Sequence, residues 1–91
     1  MAAQRRTVRY SGRVQGVGFR AATRRIAAAY AVTGYVQNLP DGSVRMVAEG
    51  PSDELDAFQT AIRKQMADRI AAEFSDPQPP LGDFDDFSIR Y

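Results

Sequence analysis

Cysteine and histidine are both absent from the 91-residue chain. Without cysteine there is no disulfide, no thiolate nucleophile and no zinc knuckle. Without histidine there is no imidazole base, no Ser-His pair and no histidine metal site. The usual tools of hydrolysis are therefore missing before any motif is read. No apolar run approaches the length needed to span a bilayer, and residues 1–6 are polar and basic with no apolar segment behind them. These features predict a cytoplasmic chain with no membrane partner. Lysine is scarce as well: Lys64 is the only one, so the basic side chains are almost all arginine.

What is present fits one domain over residues 1–91, with residues 1–6 as a disordered start. Apolar residues make up 44% and charged residues 25%, close to the globular average, which excludes wholesale disorder. The net charge of +1 hides a division, since residues 1–50 carry +6 and residues 51–91 carry −5. A basic first half suggests an anionic partner, although folding can mix both halves over one surface.

Val8, Tyr10 and Val14 alternate with Arg9, Ser11 and Arg13, which predicts a half-buried strand over Thr7–Val14. Gln15-Gly16-Val17-Gly18 follows as a turn. Phe19, Ala22, Ile26 and Tyr30 then recur at helical spacing. Thr33–Leu39 and Ser43–Glu49 are strands joined at Pro40-Asp41-Gly42, where Asp-Gly predicts an antiparallel hairpin. Ser52 or Asp53 can cap a second helix with Leu55, Phe58 and Ile62 on its core face. Its stripe continues through Met66, Ile70 and Phe74 with no Gly or Pro break. Ile70, Ala72 and Phe74 also alternate as in a strand, so we place the break near Met66. Pro77, Pro79, Pro80 and Gly82 predict a loop, and Phe87, Ile89 and Tyr91 a last strand. This order predicts an α+β, ferredoxin-like split βαβ sandwich. Its sheet is mixed, mainly antiparallel and of four to five strands, with two helices on one face.

Gly16-Val17-Gly18-Phe19-Arg20-Ala21 satisfies the dinucleotide pattern G-x-G-x-x-G/A. A Rossmann reading fails, because the next strand enters a hairpin and ends Val36-Gln37-Asn38 with no ribose-binding acid. No Gly-Lys-Ser/Thr occurs, so a Walker loop is excluded. The remaining physics is that of an anion cradle: glycines let N–H groups converge at a helix start, and Arg20 in its first turn can grip phosphate bidentately. The alternative is a plain connection beside one of many surface arginines. Other polar candidates have structural roles open to them. Asp41 suits a turn, Tyr10 and Tyr35 suit core packing, and Asp83, Asp85 and Asp86 suit a solvated edge.

Gly12-Arg13-Val14-Gln15-Gly16-Val17-Gly18-Phe19-Arg20 resembles the first signature of the acylphosphatases. Gly34-Tyr35-Val36-Gln37-Asn38, with Asp41-Gly42-Ser43-Val44 and Glu49-Gly50, resembles the second. The likeness covers residues 7–62 and returns at Phe87–Tyr91. It implies hydrolysis of an acyl phosphate to carboxylate and inorganic phosphate, with no metal and no organic cofactor. It further implies Arg20 as the phosphate-binding arginine, Asn38 as the water-orienting residue, and Gln15, Gly16, Val17, Gly18 and Phe19 as a cradle of backbone N–H groups. Three departures stand out. Tyr35 replaces a common Trp, Gln37 replaces a common Arg, and Arg63–Asp68 lacks the usual Gly-Pro. The expected partner is a small-molecule acyl phosphate as substrate of a free-standing monomer, with no nucleic acid. The competing readings are a non-catalytic phosphate-ligand domain and an RNA-binding module of the same topology.

Overall fold

Strand alternation and turn chemistry place seven elements in the computed structural model, which describes residues 2–91. They are β1 (Ala3–Gly12), α1 (Phe19–Ala27), β2 (Thr33–Asn38), β3 (Val44–Pro51), α2 (Ser52–Gln65), β4 (Ile70–Gln78) and β5 (Phe87–Arg90). The strands form one sheet in the order β4-β1-β3-β2-β5. Every pairing is antiparallel except β2 with β5, which is parallel. This is the expected ferredoxin-like α+β architecture.

One face of the sheet carries the core. Val8, Tyr10, Val36, Val44 and Met46 are fully buried beneath Phe19, Ile26, Leu55, Phe58 and Ile62 of the two helices. The Phe58 ring meets Phe87 edge-on at 5.5 Å, which ties α2 to β5. The helix ends also match their dipole. Asp53 and Glu54 occupy the first turn of α2, and Arg63 and Lys64 the last.

The structure corrects several boundaries. Ala3–Arg6, expected within a disordered start, belong to β1, which pairs Gln4 with Gly50 and Arg6 with Ala48; Met1 lies outside the described residues. The strand ends at Gly12 rather than Val14. Helix α1 stops at Ala27, and Tyr30 closes a following turn by donating its N–H to Ala27 O. Neither Ser52 nor Asp53 caps α2; Pro51 holds the cap position and no side chain bonds there.

Helix α2 ends at Gln65, and Met66 leaves helical geometry at φ −114°. The N–H groups of Arg69 and Ile70 both return to Met66 O. Beyond it the chain pairs with the outer edge of β1, which would otherwise be left without hydrogen-bond partners. Pro77, expected in a loop, lies in β4 opposite Arg6. Proline is tolerated there because β4 is an edge strand.

β4 and β5 occupy opposite edges, so residues 79–86 must cross the helix-free face. Glu49 pins that crossing. Its buried carboxylate accepts the N–H of Leu81 at 3.0 Å and of Gly82 at 2.9 Å, and pairs with Arg5 at 2.9 Å. Arg5 also holds Asp83 and lies 4.9 Å from the Phe84 ring centre. Asp83 is thus engaged rather than simply solvated. No helix among the described residues is long and apolar enough to cross a membrane.

Candidate active site

After β1 the chain turns on two glycines. Gly16 has φ 75° and Gly18 has φ 78°, left-handed values that a side chain would strain. Nothing lies within 4 Å of where a Cβ would sit on either, so they leave the loop open on that side. Gly18 is the N-cap of α1. No side chain caps this helix and no acid occupies its first turn, so its N-terminal positive potential is unopposed locally. The Phe19 side chain is 1% exposed and packs on Tyr10 at 5.2 Å, so Phe19 can serve the loop only through its backbone.

Arg20 follows in the first turn. Its Nη1 donates to the Arg90 carbonyl at 3.1 Å, and its guanidinium lies 4.8 Å from the Tyr91 ring centre. The remaining N–H donors of the fork are left for a ligand. Arg90 is itself held down, with its guanidinium 3.8 Å from the ring centre of the buried Tyr35.

Asn38 ends β2, opposite Val44 across the hairpin. Its Oδ1 is buried and has no hydrogen-bond partner. The hairpin itself is fixed by Asp41, which accepts the Ser43 hydroxyl at 2.6 Å and the Ser43 N–H at 2.9 Å. These bonds, the hydroxyl first, hold the Asp41 carboxyl below its ordinary pKa.

These parts meet around a cleft of about 170 Å³. Gly16, Gly18, Phe19, Arg20 and Asn38 line it, with Val14, Ala21, Ile89 and Tyr91 as its apolar wall. No Asp or Glu side chain lines the cleft. A larger groove of about 600 Å³ lies on the helix-free face and shares none of these residues.

Gln15 and Val17, expected in the cradle, do not line the cleft. Val17 packs partly against the core. The Gln15 side chain turns away, and its Nε2 donates to Leu39 O and Ser43 O, both at 2.8 Å. One amide therefore staples the glycine turn to the hairpin that carries Asn38. Sequence reasoning missed this staple, and it missed Ile89 and Tyr91 as lining residues. Only the alternation in Phe87, Ile89 and Tyr91 hinted at them. Tyr35, for which core packing is expected, also supplies the surface on which Arg90 rests.

The acylphosphatase family model matches residues 6–89. An acylphosphatase of Salinibacter ruber is 42% identical over 91 residues, covering 96% of this chain and 93% of that one. The crystal structure of an acylphosphatase from Bacillus subtilis superposes with TM-score 0.85 at 32% identity, covering 99% of this chain and 100% of the other. HypF from T. kodakarensis contains a similar region at TM-score 0.83 and 31% identity; it covers 97% of this chain but 12% of HypF. With its glycine turn, its helix start and its full-length likeness to these proteins, the chain belongs to the acylphosphatase family.

Proposed function

We propose that the chain hydrolyses its acyl phosphate with two side chains, Arg20 and Asn38, and with no protein group acting as base. The orphaned Asn38 Oδ1, buried beside the cleft, carries this reading. A buried carbonyl oxygen without a donor is costly, and a water bound in the cleft would satisfy it.

The chemistry suits the residues available. The leaving group is a carboxylate, which needs no protonation near neutral pH. Phosphoryl transfer through a loose transition state asks mainly for positioning and for stabilisation of charge. Arg20 and the N–H groups at the start of α1 supply the charge, and they do so from a rigid turn. Asn38 Oδ1 accepts a hydrogen bond from the attacking water and holds it in line. The water gives its other proton to a phosphate oxygen of the substrate as the P–O(acyl) bond breaks. The products are carboxylate and inorganic phosphate.

Gly16, Gly18 and Phe19 fit the cradle through their backbone. Gln15 and Val17 fit it less directly, because their side chains lie elsewhere. We also propose that one domain acts as a monomer. The large exposed apolar side chains among the described residues are Phe74, Leu81 and Tyr91, too few for the core of a stable dimer.

Phosphate release from an acyl phosphate, measured beside Arg20→Ala and Asn38→Ala, tests the reading. Arg20→Ala should lower kcat/KM by about 10² to 10³ and weaken inhibition by inorganic phosphate. Asn38→Ala should lower kcat with little loss of phosphate affinity. If each variant kept more than about a tenth of kcat/KM, a ΔΔG‡ below about 1.4 kcal/mol, the assignment would fail.

A further inference from the structure

We propose that the helix-free face of the sheet binds single-stranded nucleic acid along the row Phe74–Arg9–Arg45–Gln37–Arg90. This departs from the expectation that the chain has no nucleic-acid partner; Phe74, Arg9 and Arg45, on which its test rests, line no part of the hydrolytic cleft.

The pairing register places these five residues in line. Arg9 faces Phe74 on one side and Arg45 on the other; Gln37 faces Arg45 on one side and Arg90 on the other. Directly paired residues point to the same face. Their neighbours Val8, Tyr10, Val44, Met46 and Val36 fill the core, so the row points away from the helices. It crosses all five strands and spans about 19 Å at the usual strand spacing.

Arg9 and Arg45 are like charges directly opposed, an arrangement that disfavours the sheet. No carboxylate among the described residues forms an ion pair with Arg9, Arg45 or Arg90. Arg9 instead lies 5.5 Å from the ring centre of Phe74, which is 58% exposed. Arg9, Arg45 and Phe74 line a groove of about 350 Å³, in which Asp76 is the one carboxylate against two arginines. Thr7 and Arg45 continue it into the groove of about 600 Å³, whose far wall is the Glu49-pinned crossing at Leu81.

An aromatic face beside a line of guanidinium groups matches bases that stack and phosphates that follow the strand. A duplex hides its base faces and would leave Phe74 unused. An acidic peptide would use the arginines without the ring.

Fluorescence anisotropy of a labelled single-stranded RNA decamer tests the proposal. The competitors are the matching duplex and poly-glutamate. The intact protein should bind the single strand, and affinity should fall with salt at a log–log slope of about −1.4 for two neutralised phosphates. The double variant Arg9→Gln/Arg45→Gln should lose at least tenfold in affinity and most of the slope. Phe74→Ala should lose severalfold at an unchanged slope. Both variants should hydrolyse acyl phosphate as the parent does, which shows that they are folded. Equal binding by parent and variants would overturn the proposal. So would competition by duplex or poly-glutamate as strong as by unlabelled single strand.

Discussion

Arg20 and Tyr91 form a stacked pair, with the guanidinium 4.8 Å from the ring centre while Nη1 donates to Arg90 O at 3.1 Å. The phosphate-gripping arginine is thus oriented by the last strand rather than by its own helix. An exposed cation–π contact contributes about 0.5–1 kcal/mol. Tyr91→Ala should therefore lower kcat/KM about two- to fivefold, and Tyr91→Phe should restore it. Steady-state kinetics of both variants decide this. Equal loss in the two would place the effect in the hydroxyl and not in the stack.

Gln15 should matter through its side chain. Nε2 supplies two carbonyls of the hairpin at once, Leu39 O and Ser43 O. Gln15→Ala removes that donor, while Gly42 N–H still serves Leu39 O and Leu39 N–H still serves Ser43 O; it should cost about 0.5–1.5 kcal/mol of stability in denaturant unfolding. Gln15→Glu sets a carboxylate against the same carbonyls and should be worse than alanine near neutral pH. Because the staple reaches the hairpin of Asn38, kcat should fall more than phosphate affinity.

Gly16 and Gly18 should each resist substitution for reasons of backbone geometry alone. At φ 75° and φ 78° an alanine is strained by about 1–2 kcal/mol, although its Cβ would meet nothing. Gly18→Ala should weaken inhibition by inorganic phosphate while thermal unfolding shows a loss of that order. A clash would cost more than strain, so a much larger loss would contradict this account.

Glu49 should give stability a definite pH dependence. Burial by itself raises its carboxyl pKa, but the N–H groups of Leu81 and Gly82 and the Arg5 guanidinium outweigh burial and hold it below its ordinary 4.5. A carboxyl depressed in the folded state adds stability that is present above its unfolded pKa and is lost as pH falls through the folded value. The stability difference between the parent and Glu49→Gln should therefore be full near neutrality and shrink steadily below about pH 4.5. Asp41 is depressed in the same direction, so the comparison is best made in an Asp41→Asn background. Unfolding free energies across this range measure it; a difference independent of pH would contradict the pinning role.

The sequence disclosed the site where the site is local. Gly16, Gly18 and Arg20 are consecutive features of one turn and one helix start, and Asp41-Gly42 marks the hairpin that carries Asn38. It was silent where partners are distant. Glu49 meets the N–H of Leu81 from 32 residues away, and nothing in either segment announces that contact. β4 was ambiguous because Ile70 and Phe74 satisfy both a helical and a strand period. An irregularity between Ser11 and Gly12 then sends Ile70 toward the core and leaves Phe74 on the helix-free face. Ile89 and Tyr91 reach the cleft through the parallel pairing of β5 with β2, a long-range choice that local pattern does not encode.

The central claim is that the substrate's own phosphate, and no side chain, receives the proton of water. The pH dependence of kcat/KM for two acyl phosphates with different phosphate pKa values tests it most directly. The inflection should move with the substrate. An inflection that stays at one pH for both substrates would reveal a protein base and contradict it.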